Sequence, residues 1–227
     1  MKTGILILPA KRCGGLIWLR PFAAALILLL PFAASAALSL VQDGSFENQV
    51  ASKPFQTIYA PSTFGGWTVT SGSVDLINGY WNAADGNQSL DLSGLSRGTI
   101  QQNITAAAGT YHLAFDLSGN SDGPPVVKTV RVSFGGFTRD FSFTTSGSNG
   151  SMNWALQTWN IAYTGGSTQL TFQDISAGAD DRPYYGAVLD NISLVAVPEP
   201  STIVAGAMLL LPFAARTLRL VRKGRAG

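Results

Sequence analysis

Between residues 38 and 196 the chain repeatedly alternates apolar and polar side chains with a period of two. In the segment TYHLAFDL, the residues Tyr111, Leu113 and Phe115 fall on one side and polar or small residues fall on the other. The same alternation recurs in KTVRVSF, QTWNIAY and STQLTF. Because successive side chains of a β-strand point to opposite faces, this pattern predicts strands with one buried face.

Clusters of Gly, Ser, Asn and Asp separate the alternating segments, as in SGNSDG at residues 118–123, and they predict turns. No window has the 3.6-residue period of an amphipathic helix. About ten short strands in one domain of this size predict an all-β fold, a β-sandwich of jelly-roll type. The sequence has no repeat of fixed period, which is the pattern that a propeller or a solenoid would show.

The first 36 residues have the order of parts that is typical of a secretory signal peptide. Basic residues come first, an apolar run from Phe22 to Phe32 follows, and Ala34-Ser35-Ala36 supplies a cleavage site. We expect export with cleavage after Ala36; an uncleaved N-terminal anchor is the alternative. The single cysteine, Cys13, lies in this segment, so the sequence after residue 36 contains no residue that could form a disulfide.

Charge is distributed unevenly along the chain. Nine of the 15 basic residues lie in the first 36 or the last 31 residues, whereas all 13 acidic residues lie between Asp43 and Glu199. With six basic and 13 acidic residues, that middle segment has a formal charge of −7, although the whole chain sums to +2. An acidic domain repels a phosphate backbone, so the sequence argues against nucleic-acid binding.

The last 31 residues combine Pro198-Glu199-Pro200, an uncharged run from Thr202 to Ala215, and five basic residues. The run is shorter than the roughly 20 residues of a typical membrane span. The prolines nevertheless argue against a buried core helix, and the basic end fits a cytoplasmic terminus. We therefore expect a hydrophobic anchor helix here.

The sequence VPEPST at residues 197–202, with the apolar run and the basic end, resembles the PEP-CTERM sorting signal of Gram-negative bacteria that make exopolysaccharide. The resemblance implies that Pro198, Glu199 and Pro200 are recognised by an exosortase-type processing enzyme. It also implies a transient inner-membrane anchor, followed by delivery to the cell surface, the extracellular matrix or the medium. A simple C-terminal anchor is the alternative.

Seven motifs follow one another in the middle of the chain: DGSFEN, GWTVTSGSVDLI, DGNQSLDLSG, GTIQQNI, YHLAFDLSGN, NWALQTWNIAYTGGSTQLTFQ and VLDNISL. With these motifs in this order, the middle of the chain resembles the choice-of-anchor C family, which is similar to a domain of unknown function found in plant cell-wall proteins. The resemblance implies a galactose-binding-domain-like jelly roll with no established catalytic activity. The chain then divides into a signal peptide at 1–36, a β-sandwich domain at 37–196 and a sorting and anchor segment at 197–227.

The same resemblance implies a structural calcium ion. In galactose-binding-like sugar-binding modules, such an ion joins the Gly-x-Phe-Glu region of the first strand to an aspartate of the last strand. The matching residues nominate Glu47 and Asp190 as ligands, with Asp43 as a third. Carboxylates suit calcium because it prefers oxygen ligands. In the alternative interpretation, Glu47 and Asp190 cap strand ends and accept hydrogen bonds from backbone amides.

Residues suited to catalysis are few. His112 is the only histidine and lies inside an alternating strand, which favours a structural role, and neither Gly-x-Ser-x-Gly nor His-Glu-x-x-His occurs. Asp174, Asp180 and Asp181 could serve a glycan-acting hydrolase or lyase, which needs two carboxyl groups across one bond. Adjacent aspartates in a glycine-containing loop more often form a solvated turn or bind a cation. We therefore predict a protein that is not an enzyme and keep the hydrolase or lyase as an alternative.

Two aromatic pairs lie in loop-like sequence: Tyr80-Trp81 in NGYWN and Tyr184-Tyr185 in RPYYG. Aromatic rings stack on the apolar faces of sugars, so we nominate these four residues as ligand-binding. In the alternative interpretation they pack against the edge of the sandwich. The sequence thus predicts an exported binding module for extracellular or cell-wall polysaccharide. A structural matrix or adhesion protein with no defined sugar site is the alternative class.

Overall fold

The structure, a computed structural model, describes residues 38–52, 54–177 and 184–198. These residues form twelve β-strands: β1 (Phe55–Tyr59), β2 (Ser62–Phe64), β3 (Trp67–Ser71), β4 (Ser73–Asn78), β5 (Gln88–Asp91), β6 (Thr99–Ala106), β7 (Gly109–Gly119), β8 (Val127–Phe134), β9 (Phe137–Thr144), β10 (Ala155–Tyr163), β11 (Gly166–Asp174) and β12 (Ala187–Val197). The described residues include no helix long and apolar enough to cross a membrane. The predicted signal peptide and the sorting segment from Glu199 onward lie outside them.

The strands form two antiparallel six-stranded sheets. Sheet A has the order β1-β4-β5-β12-β7-β10, and sheet B has the order β2-β3-β6-β11-β8-β9. Strands β5 to β12 fill the groups β5-β12-β7-β10 and β6-β11-β8-β9, which is the connectivity of a jelly roll. The prediction of an all-β sandwich is confirmed.

The inner faces of the two sheets enclose the main apolar core. Strand β7 buries Leu113, Phe115 and Leu117, as its period of two predicts. The ring of Phe115 meets that of Phe172 edge to face at 5.3 Å, and Phe172 meets Trp67 at 6.0 Å. These rings link the two sheets across the middle of the sandwich.

The outer face of sheet A is not uniformly polar. Cross-strand partners point to the same side of a sheet, and the strand registers place Thr57, Asp75 and Asp91 together on the side away from the core. A second apolar cluster lies on this outer face and consists of Ile77, Trp81, Met152 and Val188. The loop that carries Trp81 therefore folds back over the sheet and borders a cleft.

Candidate ligand-binding cleft

A cleft of about 330 Å³ opens on the outer face of sheet A, between β1, β4, β5 and the neighbouring loops. Its apolar lining consists of Phe55, Ile77, Tyr80, Trp81, Leu95, Tyr184 and Tyr185. Its polar lining includes Thr57, Asp75, Asp91, Asn120 and Asp122. The fold thus brings both predicted aromatic pairs to one place, although they are far apart in sequence.

Tyr80 forms the first wall of the cleft. Its ring is 38% exposed, and its hydroxyl donates a hydrogen bond of 2.8 Å to Asp122. That hydrogen bond raises the pKa of the Tyr80 phenol above its ordinary value. Phe55, which is 42% exposed, contacts the ring of Tyr80 edge to face at 6.0 Å. Two neighbours therefore fix the Tyr80 ring while leaving much of it in solvent.

Trp81 supports this wall from below. It is only 4% exposed, and its indole N–H donates to the hydroxyl of Ser89 at 2.8 Å. Its ring contacts that of Tyr80 at 5.4 Å between centroids. Of the four predicted aromatic residues, Trp81 is withdrawn from solvent, so its role in the cleft is to position Tyr80.

Tyr184 and Tyr185 form the second wall. Tyr184 is 40% exposed and meets Tyr185 edge to face at 6.3 Å. Tyr185 packs on the backbone of Gly123, where an added Cβ would lie 2.2 Å from the tyrosine ring. Only glycine at position 123 permits this approach.

Lys128 holds the second wall from inside the protein. Its side chain is fully buried, and its ammonium donates to the carbonyl oxygens of Gly123 at 2.9 Å and Tyr185 at 2.5 Å. Burial lowers the pKa of Lys128 to about 8, while the charges of Asp91 and Asp174 oppose that shift. The sequence analysis did not identify this residue, although Lys128 lies on the same face of β8 as the buried Val130 and Val132.

Two aspartates form the polar floor of the cleft. Asp91 is 1% exposed and accepts hydrogen bonds from the side-chain amide of Asn120 and the backbone N–H of Ser93, both at 2.8 Å. Burial raises the pKa of Asp91 well above its ordinary value. Asp75 accepts the hydroxyl of Thr57 on Oδ1 at 2.6 Å, and burial raises its pKa as well. Within the described residues no donor reaches Oδ2 of Asp75, so this oxygen keeps its full capacity to accept hydrogen bonds.

Asp174, one of the three candidate catalytic aspartates, lies inside the protein. It is 3% exposed, and its oxygens accept the hydroxyl of Ser93 and the backbone N–H of Ser176, both at 2.6 Å. Asp180 and Asp181 lie outside the described residues. Asp174 thus serves to hold neighbouring loops together.

The predicted calcium ligands Glu47 and Asp190 meet at one loop. Glu47 accepts the backbone N–H groups of Asn87 and Gln88 at 2.6 and 2.7 Å. Asp190 accepts those at positions 84 and 85 at 2.8 and 3.0 Å. Burial raises the pKa of Asp190 to about 7. In the described residues both carboxylates therefore cap the loop at 84–88.

Among the described residues, side chains alone do not supply a complete set of ligands for a calcium ion. Within residues 38–52, 54–177 and 184–198, no three Asp, Glu, His or Cys side chains approach closely enough to share an ion. One observation favours the ion: Oδ2 of Asp43 is buried and has no hydrogen-bond partner among the residues that the structure describes. Calcium binding remains a prediction.

The calcium prediction concerns the chelator sensitivity of thermal unfolding. If an ion bound at Asp43 stabilises the fold, EDTA should lower the melting temperature, because a ligand at 100 times its Kd contributes about 2.7 kcal/mol. The Asp43→Asn variant should melt at the same temperature with and without EDTA. A wild-type melting curve that EDTA leaves unchanged would contradict the prediction.

Lys128 gives a pH-dependent prediction. Its folded-state pKa of about 8 lies below its ordinary value of 10.5, so between these pH values the unfolded chain binds more protons than the folded one. The free energy of unfolding should therefore rise with pH in this window, relative to Lys128→Met. Urea titrations of both proteins at pH 7 to 10 measure the difference, and parallel curves would contradict it.

Solved structures with a similar fold include carbohydrate-binding modules. TmCBM61 in complex with β-1,4-galactotriose has a TM-score of 0.45 and 19% identity, covering 71% of this chain and 100% of that one. CBM35 from Paenibacillus barcinonensis has a TM-score of 0.41 and 20% identity, covering 63% of this chain and 99% of that one. A family 35 carbohydrate-binding module from Clostridium thermocellum has a TM-score of 0.42 and 20% identity, covering 62% and 98%.

Sequence comparison finds a curated relative and a family. Halomucin of Haloquadratum walsbyi is 33% identical over 169 residues, which is 71% of this chain and 2% of halomucin. The chain therefore spans a small part of that relative's length. The sequence model of the family described as "Protein of unknown function (DUF642)" matches residues 39–195. Because this match covers more than half of the chain, the protein belongs to the DUF642 family.

Proposed function

We propose that this protein is an exported, non-catalytic module that binds polysaccharide at the cell surface or in the extracellular matrix. The observation that carries the proposal is the cleft, in which three exposed aromatic rings surround a polar floor that includes Oδ2 of Asp75, an oxygen that no donor of the described residues reaches. The rings belong to Phe55, Tyr80 and Tyr184.

The cleft matches the two-sided chemistry of a sugar. A pyranose ring offers apolar C–H faces to aromatic rings and offers hydroxyl groups to polar side chains. Tyr80 and Tyr184 can supply the first kind of contact, and Oδ2 of Asp75 can accept a hydroxyl. Because each tyrosine is held by an edge-on neighbour, little ordering is needed when a ligand binds.

The described cleft does not favour glycan cleavage. Glycosidases place two carboxyl groups on either side of one bond, one of them able to exchange a proton with the substrate. Of the three carboxyl groups in the described lining, Asp91 is buried behind its hydrogen-bond donors and Asp122 accepts the hydroxyl of Tyr80, so Asp75 is the one that remains placed to exchange a proton with a ligand. His112 lies away from the cleft lining, with its Nδ1 2.6 Å from the side-chain oxygen of Asn160.

The binding prediction concerns the exposed rings. Tyr184→Ala should weaken binding to a polysaccharide by about 3- to 10-fold, since an aromatic contact contributes about 0.5–1.5 kcal/mol. Tyr80→Phe should retain most of the affinity that Tyr80→Ala loses, because it keeps the ring and removes only the hydroxyl. Affinity electrophoresis or calorimetry against a panel of neutral polysaccharides measures both effects.

Phe137→Ala is the matched control, because Phe137 is 51% exposed on sheet B, outside the cleft. Trp81→Ala is not a suitable probe, since it removes a buried support. Binding that is equal in Tyr184→Ala and wild type would place the site elsewhere. Absence of binding to the whole panel would favour the matrix or adhesion role.

We further propose, from the terminal sequences, that the protein is anchored transiently and then processed near Pro198. The support is the VPEPST motif with its apolar run and basic end. In this proposal the choice-of-anchor C resemblance applies to the β-sandwich domain, and an exosortase-type enzyme acts on the C-terminal segment at 197–227.

The sorting proposal predicts different masses for two forms of the protein. Intact-mass spectrometry of the cell-associated form should show a chain that starts at residue 37 and retains its basic tail. The released form should lack the residues beyond the Pro-Glu-Pro motif. A released form that keeps the basic tail to Gly227 would contradict the proposal.

A further inference from the structure

The cleft is acidic. Asp75, Asp91 and Asp122 line it, and the described lining residues include no Lys, Arg or His. The nearby ammonium of Lys128 is fully buried and donates to two backbone carbonyls, so it cannot pair with a ligand. The charge of Lys128 acts on Asp91 and Asp122 from inside the protein, and among these residues a bound group contacts carboxylates but no cation.

The hydroxyl groups beside these aspartates already donate their hydrogen bonds to the aspartates. The hydroxyl of Thr57 donates to Asp75 at 2.6 Å. The hydroxyl of Tyr80 donates to Asp122 at 2.8 Å. The floor thus presents mainly acceptors to a ligand, because the two hydroxyl donors beside it are already used.

We propose, building on the polysaccharide-binding function, that the cleft binds sugar units that carry no negative charge and rejects uronate and sulfated units. A hydroxyl group of an uncharged unit donates to Oδ2 of Asp75 while the ring faces contact Tyr80 and Tyr184. A carboxylate or sulfate in the same place meets the acceptor oxygen of Asp75 instead of a donor and is repelled by the carboxylates of Asp75 and Asp122. A binding site can gain specificity by placing an unpaired charge of the same sign against the ligand that it rejects.

The test uses pairs of polymers that differ only at C6, where a hydroxyl is replaced by a charged group that accepts hydrogen bonds but cannot donate them. A β-glucan, a galactan and a mannan are each compared with the same polymer after oxidation of its C6 hydroxyls to carboxylates. The full-length protein should bind the oxidised form of its preferred polymer at least about tenfold more weakly, because a repulsion of about 1.4 kcal/mol has that effect. Added salt should narrow the difference, because it screens the repulsion.

Two variants test whether the cleft is the part of the protein that rejects the charged polymers. The double variant Asp75→Asn and Asp122→Asn should bind the oxidised polymer at least several-fold more tightly than wild type does. Asp140→Asn removes one acid from sheet B, where Asp140 pairs with Arg131 at 2.8 Å, and should leave the discrimination unchanged. Should the double variant not fold, Asp122→Asn alone, which changes an exposed side chain of the cleft, should weaken the rejection in the same direction.

The outcomes separate the inference from the function on which it depends. Equal or tighter binding of the oxidised polymers, with loss of binding in Tyr184→Ala, overturns the charge selectivity and leaves polysaccharide binding in place. Binding to no polymer of either series overturns both. Discrimination that persists in the double variant overturns the assignment to Asp75 and Asp122.

Discussion

Two sheets that hide their apolar faces against each other are the constraint on which this structure depends. Because the side-chain period of a strand is two, a slip of one residue would exchange the core face for the solvent face. The buried row of β7, with Phe115 at its centre, therefore fixes the register of sheet A. The same registers bring Thr57, Asp75 and Asp91 together on the outer face. Core packing thus determines the position of the cleft floor.

Carboxylates that accept backbone N–H groups are the second organising element. Glu47 and Asp190 hold the loop at 84–88, and Asp174 holds the segment at 174–176. Buried polar groups are stable in proteins when they are hydrogen-bonded in this way. The acidity of the middle segment therefore has an internal structural use in addition to its effect on the surface potential.

The sequence predicted the strands well because period-two alternation is a local signal. TYHLAFDL, KTVRVSF, QTWNIAY and STQLTF all lie in observed strands. The meeting of the Tyr80 and Tyr184 loops was not predictable, because it depends on strand order. The burial of Trp81 depends on Met152 in a distant loop, and Phe55 was overlooked because a single aromatic residue in an edge strand has no distinctive pattern. Lys128 shows that a charged residue at a strand position that the alternation assigns to the core has to be explained by a structural role.

One ammonium group fastens both segments that meet at the second wall. Since Lys128 donates to the carbonyls of Gly123 and Tyr185 at once, the two segments cannot separate without breaking a bond to the same nitrogen. Their displacements are therefore correlated, and because Asp122 beside Gly123 accepts the hydroxyl of Tyr80 at 2.8 Å, the first wall of the cleft is tied to the same segment. Under the proposed polysaccharide-binding function, a cleft whose two walls are linked in this way would select glycans by thickness and branching as well as by chemistry.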